Sequence, residues 1–320
     1  MLSRIKIIAG LVFLSLLFFG LFTCLREKPY QDSRLVMGTV ATIIVEDPNS
    51  ELAQKAVSSA WQEIERLQKV FDFHDQQSEL SSLNATAGSA AFPLSKDMFT
   101  VIERALWAGG ITDGMFDITI GPIVKLYGFY RNSEKRIPSD EEIKNTLKVV
   151  DYHLVQISTE NQSVRLLKNG VALDLGGLAK GYAVDKAAAV LMSHGIKSGL
   201  VNIGGNIYAF GPHEWPIGIQ APRDNKKVLK VIKLKDQGVA TSGDYERYFI
   251  KNHQRVHHIF DPRTGRSATA NIGVTVIARD AFTADIFSTS LFVLDEKRAK
   301  VLADSQGVEV FIARPLRPLP

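Results

Sequence analysis

A chain of 320 residues with a formal charge of +4, 45% hydrophobic and 22% charged residues has the make-up of one large or two closely joined globular domains. No stripe of lysine and arginine with interleaved aromatics runs along it, which excludes nucleic-acid binding as the reading of its small positive charge. Its single cysteine, Cys24, excludes disulfides, zinc ribbons and thiolate catalysis from everything beyond that point.

Arg4 and Lys6 precede an apolar run from Ile7 to Cys24, which Arg26 and Lys28 close. The pattern predicts a secretory signal or a single membrane anchor, which needs about 17–25 apolar residues. Cys24 in Leu21-Phe-Thr-Cys24 suits lipoprotein cleavage, yet Thr23 stands where a small residue is preferred. Lipidation and an uncleaved anchor therefore both stay open. Residues 1–28 are set apart as signal or anchor, and 29–320 as the functional domain.

A strand is expected over 35–45, followed by a helix whose apolar positions Leu52, Ala56, Ala60, Ile64 and Leu67 recur at helical spacing. A second helix starts at Ser95 and buries Met98, Ile102, Ala105 and Leu106, and Ser139-Asp-Glu-Glu142 has the form of a capping box. Short strands are expected at 154–157, 164–167 and 171–175, then a helix from the pair Gly176-Gly177 to near Gly195. Further strands follow at 200–203, 217–220, 228–234, 272–277 and 308–312, with a helix over 281–294. Strands and helices in mixed order argue an α+β fold.

Three groups of residues carry chemistry. In Leu173-Asp-Leu-Gly-Gly-Leu-Ala-Lys-Gly-Tyr-Ala-Val-Asp185, the glycine pair lets backbone approach a ligand, and the helix start behind it favours an anion. Lys180 adds a mobile positive charge and Asp174 an acceptor. The spacing matches neither a P-loop nor a dinucleotide fingerprint, and a tight turn with a solvated lysine fits the same residues. Asp285 and Thr289 lie four apart in a helix and so share one face. A carboxylate and a hydroxyl there make a hard-oxygen site suited to Mg²⁺. A solvated face is the alternative, but the neighbours Ala284, Ile286, Phe287, Leu291 and Phe292 make an unpaired buried carboxylate costly. His257-His258 ends a strand-like run before Asp261-Pro262, a place for a general base near neutral pH. Strand alternation turns only one of the two inward. His258 is the first choice, His257 the reserve, with Asp244 and Asp261 next in line.

These segments do not stand alone. Met37-Gly-Thr39, Ser78-Glu-Leu-Ser-Ser-Leu-Asn84, Phe116-Asp-Ile-Thr-Ile-Gly-Pro122, Leu126-Tyr-Gly-Phe129, the glycine-pair segment, Thr241-Ser-Gly-Asp-Tyr-Glu-Arg247, His257-His-Ile-Phe-Asp-Pro-Arg-Thr-Gly265 and Ala284-Asp-Ile-Phe-Ser-Thr-Ser-Leu-Phe292 follow one another in register. In that order and spacing the chain resembles the ApbE family of flavin transferases. The resemblance implies a mixed α/β body with a T-fold-like core and a flavin cleft. It implies Asp285, Thr289 and the Gly177 carbonyl as metal ligands and His258 as base. It implies Met37, Met115, Phe116, Asp117, Asp174, Lys180 and the Ile259 backbone as FAD contacts. The reaction so implied uses Mg²⁺ and moves the FMN half of FAD onto a Thr or Ser hydroxyl, releasing AMP. The acceptors would be subunits of membrane redox complexes, met at the periplasmic face of a bacterial inner membrane. Phe73-His74-Asp75 departs from the Tyr or Trp that many relatives carry, which touches the balance of transfer against hydrolysis. Two other readings share the site: a Mg²⁺-dependent FAD pyrophosphatase, and an exported FAD-binding protein without turnover.

Overall fold

The computed structural model describes residues 29–130 and 133–315; the signal or anchor expected over 1–28, with Cys24, lies outside them. Two strands and a tight turn stand where one strand was expected. β1 (Tyr30–Val36) and β2 (Thr39–Val45) pair antiparallel, and the chain reverses at Met37 and Gly38, with φ of 51° and 73°. A two-residue turn of that hand matches the twist of its flanking strands. The turn is what presents Met37 at the end of the hairpin.

β3 (Gly199–Ile203), β4 (Asn206–Phe210), β5 (Gln237–Gly243), β6 (Gly273–Ala278) and β7 (Glu309–Ala313) complete a seven-stranded antiparallel sheet whose spatial order follows the chain. Sequence reading misses β5, because Gln237-Gly-Val-Ala-Thr-Ser-Gly243 has two glycines and few β-branched residues. The helices are α1 (Ser50–Phe71), α2 (Glu79–Ala85), α3 (Lys96–Ile111), α4 (Gly121–Leu126), α5 (Asp140–Leu147), α6 (Ala179–Ser193), α7 (Ala281–Val293) and α8 (Glu296–Gln306). Their starts are written locally. Asn49 accepts from the Leu52 N–H, Ser95 from that of Met98, and Ser139 and Glu142 form the expected capping box.

Alternation along the strands splits the core between two faces. Val201 and Ile203 pack on the helix side with α1 and α6, while Val274 and Val276 meet α7. On the other face Leu200, Ile207, Ala209, Val239 and Ile277 pack beneath Ile219, Ile232 and Leu234. Those three belong to a long hairpin, Trp215–Ala221 paired with Asp224–Leu234, so the body has three layers. The α+β class holds.

The strand expected over 171–175 is not one: these residues form no ladder. The Asn84 side chain takes the place of a partner strand, accepting from the Leu173 N–H at 2.7 Å and donating to its carbonyl at 2.9 Å. Asp174 N–H donates to the Ile118 carbonyl at 2.7 Å. The glycine-pair segment is thus stretched and fixed just before α6.

α6 and α7 meet at Gly181. A Cβ there would stand 2.3 Å from the Ala281 carbonyl oxygen and 2.7 Å from the Asp285 Cβ. Gly181→Ala therefore forces the two helices apart, an overpacking cost of about 1–3 kcal/mol. The expected readout is a lower urea midpoint at unchanged slope. A wild-type midpoint would mean the helices separate freely.

Candidate active site

The start of α6 has no side-chain cap, so its N–H groups look outward to whatever lies across from them. Asp285 on α7 lies across: its Oδ2 accepts the Gly181 N–H at 2.9 Å. α7 is buried on nearly all sides, which leaves the Asp285 carboxylate 3% exposed. Burial pushes its pKa up, opposed by the Lys180 charge and by the Gly181 hydrogen bond. One helical turn on, Thr289 Oγ1 is 3.4 Å from the Gly177 carbonyl oxygen. Ser242 at the end of β5 places its Oγ 3.3 Å from Thr289 Oγ1 and 2.9 Å from Ser288 Oγ. Asp285 and Thr289 therefore both meet the 177–181 segment at the start of α6, Thr289 at the Gly177 carbonyl and Asp285 at the Gly181 N–H, and Ser242 joins Thr289 there.

Among the described residues there is no group of three or more His, Cys, Asp or Glu side chains able to hold a metal. One buried carboxylate with a hydroxyl and a carbonyl suits Mg²⁺, which keeps waters and takes substrate phosphate oxygens. The set has no nitrogen or sulfur ligand for zinc. A buried carboxylate held by one neutral backbone donor is also a group that a cation relieves.

Lys180 is the common neighbour of the site. Its Nζ donates to the Gly176 carbonyl at 3.0 Å, and its charge is felt by Asp285, Glu246 and His258. Asp174 Oδ1 accepts from the Gly176 N–H at 2.7 Å, which tightens the turn that displays the Gly177 carbonyl.

The two histidines differ sharply. His257 is 4% exposed, lies edge-on to Phe292, and spends both ring nitrogens on backbone. Its Nε2 donates to the Ala268 carbonyl at 2.8 Å, and its Nδ1 accepts from the Ile259 N–H at 3.3 Å. His258 keeps part of its ring open while protein closes around the rest. Its Nδ1 lies 3.2 Å from the Arg247 carbonyl, a pure acceptor, so Nδ1 carries the proton and Nε2 is the basic nitrogen. Burial, then the positive charges of Arg247 and Lys180 and the neighbouring His257 ring, push its pKa down to about 3. Asp244 and Asp261, next in line, are engaged: Asp244 is gripped by Arg223 at 2.6 and 2.7 Å, and Asp261 by Arg263 at 3.0 and 2.7 Å.

The depressed pKa has a consequence for acid stability. An unfolded histidine takes up a proton near pH 6.5, whereas folded His258 resists until about pH 3. Its neutral form thus favours folding above pH 6.5, and that contribution drains away as pH falls toward 3. His258→Ala is expected to flatten the fall of Tm between pH 6.5 and 4. Parallel Tm curves for variant and wild type would contradict this.

The remaining flavin candidates gather nearby in different states. Met37 occupies the β1–β2 turn, its N–H donating to Gln68 Oε1. Met115 and Ile259 share one apolar cluster, and Phe116 lies against Gly177. Asp117 is committed to structure: Oδ1 accepts from the Thr119 N–H and hydroxyl, and Oδ2 from the Tyr152 N–H. Its carboxylate is taken up inside the protein. Next to Phe73 and His74 stands Tyr130, 4.9 Å and 5.5 Å from them between ring centroids, with the Lys125 ammonium 4.8 Å from the Tyr130 ring. Tyr130 was missed in the sequence although it directly follows the Leu126-Tyr-Gly-Phe129 motif. Tyr182 is a wall residue, its hydroxyl donating to Asp97 at 2.7 Å.

A cavity of about 430 Å³ opens beside Phe73, Tyr130 and Lys125. Another of about 660 Å³ lies between α3, α6 and the start of α7. Neither is lined by His258, Asp285 or Thr289, so the donor set and not cavity size marks the chemistry.

The sequence model of the ApbE family matches residues 37–312. The chain belongs to the ApbE family. The FAD:protein FMN transferase of Treponema pallidum is 32% identical over 91% of this chain and 86% of its own length. That of Klebsiella pneumoniae is 32% identical over 90% of both. Among solved structures, the ApbE protein of Thermotoga maritima superposes with a TM-score of 0.85 at 35% identity, over 89% of this chain and 94% of its own. The apo form of the Pseudomonas stutzeri flavinyl transferase ApbE gives 0.80 at 28% identity, over 90% and 92%. The family match over residues 37–312 contains the oxygen set, Lys180 and His258.

Proposed function

We propose that this chain transfers the FMN moiety of FAD onto a Thr or Ser hydroxyl of an acceptor flavoprotein and releases AMP. The observation that carries this reading is the joint placement of three hard oxygens at an uncapped helix start, with a histidine that is neutral at physiological pH and free at Nε2. Bound Mg²⁺ would neutralise pyrophosphate charge and aid departure of AMP. Asp285, Thr289 and the Gly177 carbonyl are the residues that would hold it. The α6 start and Lys180 receive the phosphates. His258 Nε2 takes the acceptor hydroxyl proton as its oxygen bonds to the FMN phosphorus and the bond from that phosphorus to the AMP oxygen breaks. A phosphoester-linked FMN protein results. Met37, Met115, Phe116 and Ile259 border the flavin, with Tyr130 supplying an aromatic surface beside His74.

The acceptor class follows from the same reading: a subunit of a membrane redox complex, met outside the cytoplasm by a chain held through residues 1–28. Incubation with FAD, Mg²⁺ and a candidate acceptor, followed by acceptor mass and AMP release, tests it. The expected result is an acceptor heavier by one FMN less one water, with one free AMP released per event. AMP release with no change in acceptor mass would make the chain a pyrophosphatase. Binding without AMP would make it a carrier.

A further inference from the structure

The long hairpin covers one face of the sheet and leaves its own outer surface bare. Ile219, Ile232 and Leu234 point into the core, but Val228, Leu229 and Val231 are 59%, 60% and 59% exposed. The register shift between Ile219 and Gln220 leaves Leu229 without a partner across the hairpin, a bulge that turns it outward. Around these aliphatics stand Lys226, Lys227, Lys233 and Lys235, all exposed. Two of them pair locally, Lys227 with Asp224 at 3.3 Å and Lys233 with Glu214 at 2.9 Å, and Lys230 lies over the Phe311 ring. From Glu214 to Asp236 the cations Arg223, Lys226, Lys227, Lys230, Lys233 and Lys235 still outnumber Glu214, Asp224 and Asp236. Exposed aliphatic side chains between lysines whose stems can lie along apolar surface are the composition of an interfacial element.

Its position is set by strand register. Tyr30 pairs with Val45, Val45 with Gly199, Gly199 with Phe210, and Ala209 with Gln237. One end of the sheet therefore holds both the first described residues and the base of the hairpin, where Trp215 Nε1 donates to the Phe210 carbonyl and His213 faces Glu46. Cys24 and Pro29 are five residues apart, a reach of at most about 18 Å. An anchor over 7–24 would hold this end of the sheet within that distance of a bilayer. The hairpin tip leads the other way, with Arg223 gripping Asp244 beyond the end of β5 that carries Ser242.

We infer that the outer face of the 215–234 hairpin is a docking surface for an anionic lipid bilayer. The lysines meet headgroup charge, and Val228, Leu229 and Val231 enter the headgroup boundary. The catalytic end of the sheet then lies along the membrane, within reach of acceptors there. The inference rests partly on reading residues 1–28 as an anchor, and its test separates the two.

The test uses the full chain with Cys24→Ser and Val231→Cys, labelled with an environment-sensitive fluorophore. The same label at Val301→Cys, on α8 and 64% exposed in Val301, is the control. With vesicles of phosphatidylcholine and phosphatidylglycerol, the 231 label is expected to shift to the blue and be quenched by nitroxide lipids. The 301 label stays as in water, and pure phosphatidylcholine gives a much weaker response. Replacing Lys226, Lys227, Lys233 and Lys235 by Glu removes the blue shift, at about five-fold in partitioning or more per lysine. A chain that sediments with vesicles while its 231 label stays wet overturns the hairpin inference and leaves the anchor standing. A chain that does not sediment overturns the hairpin inference and an uncleaved apolar anchor, while sedimentation of the wild-type chain with Cys24 in place reads lipidation separately. A shift that appears only on adding an acceptor protein assigns the surface to that protein instead.

Discussion

Replacing His258 by alanine is expected to cut transfer to protein by about 10²–10⁴-fold, the usual worth of a positioned general base, with FAD affinity nearly unchanged. Only one contact to the ligand region is lost, while Lys180, the α6 start and the apolar wall remain. His257→Ala should behave in the opposite way. It leaves the buried Ala268 carbonyl and Ile259 N–H without their partners, a stability cost of about 1–3 kcal/mol, and leaves the turnover of folded protein close to wild type. Flavin fluorescence titration, acceptor mass and thermal melts on both variants separate the two roles. If the turnover loss falls on His257 and the melting loss on His258, the ring assignments are reversed. If neither variant slows transfer more than a few-fold, the base lies elsewhere.

Asp285→Asn is the second large effect, and its two readouts run in opposite directions. The amide can still accept the Gly181 N–H through its oxygen, but the buried charge is gone. Burial raises the Asp285 pKa, so without metal the charged form costs stability, and the variant in chelator should melt at or above the wild type. Wild type should gain stability with Mg²⁺, about 2.7 kcal/mol at one hundred times Kd, and the variant should gain almost none. Turnover should fall by at least about 10²-fold, the scale of losing one group that stabilises transition-state charge. Thr289→Ala should be milder, because a water can replace a neutral hydroxyl. A variant with full activity and an intact Mg²⁺ response would remove Asp285 from the metal site.

Much of this candidate site is legible in the sequence, and for a local reason. The i, i+4 spacing of Asp285 and Thr289 fixes their common face within one helix, and the glycine pair marks the turn before α6. Likewise the Ser139–Glu142 capping box and the apolar stripe of α1 are contained in a few neighbouring residues. Nothing of that kind distinguishes His257 from His258. Their roles come from the Ala268 and Arg247 carbonyls, each eleven residues away in sequence.

The same limit explains the other differences. Residues 171–175 have the composition of a strand, but a side chain 89 positions away, Asn84, occupies the hydrogen bonds a ladder would need. β5 has weak strand character and is held between β4 and β6. Gly181 reads as an ordinary helical residue until α7 is packed against it. Ser242 acquires its part only when the end of β5 meets α7. The sequence by itself determined five of the eight described helices, α1, α3, α5, α6 and α7, with the Ser95 and Ser139 caps, the α+β class and the residue types of the site, because those rest on contacts within a turn or two. The tertiary structure alone decided which histidine keeps a free nitrogen, how the oxygens converge and where the long hairpin lies, because those depend on partners that only folding brings together.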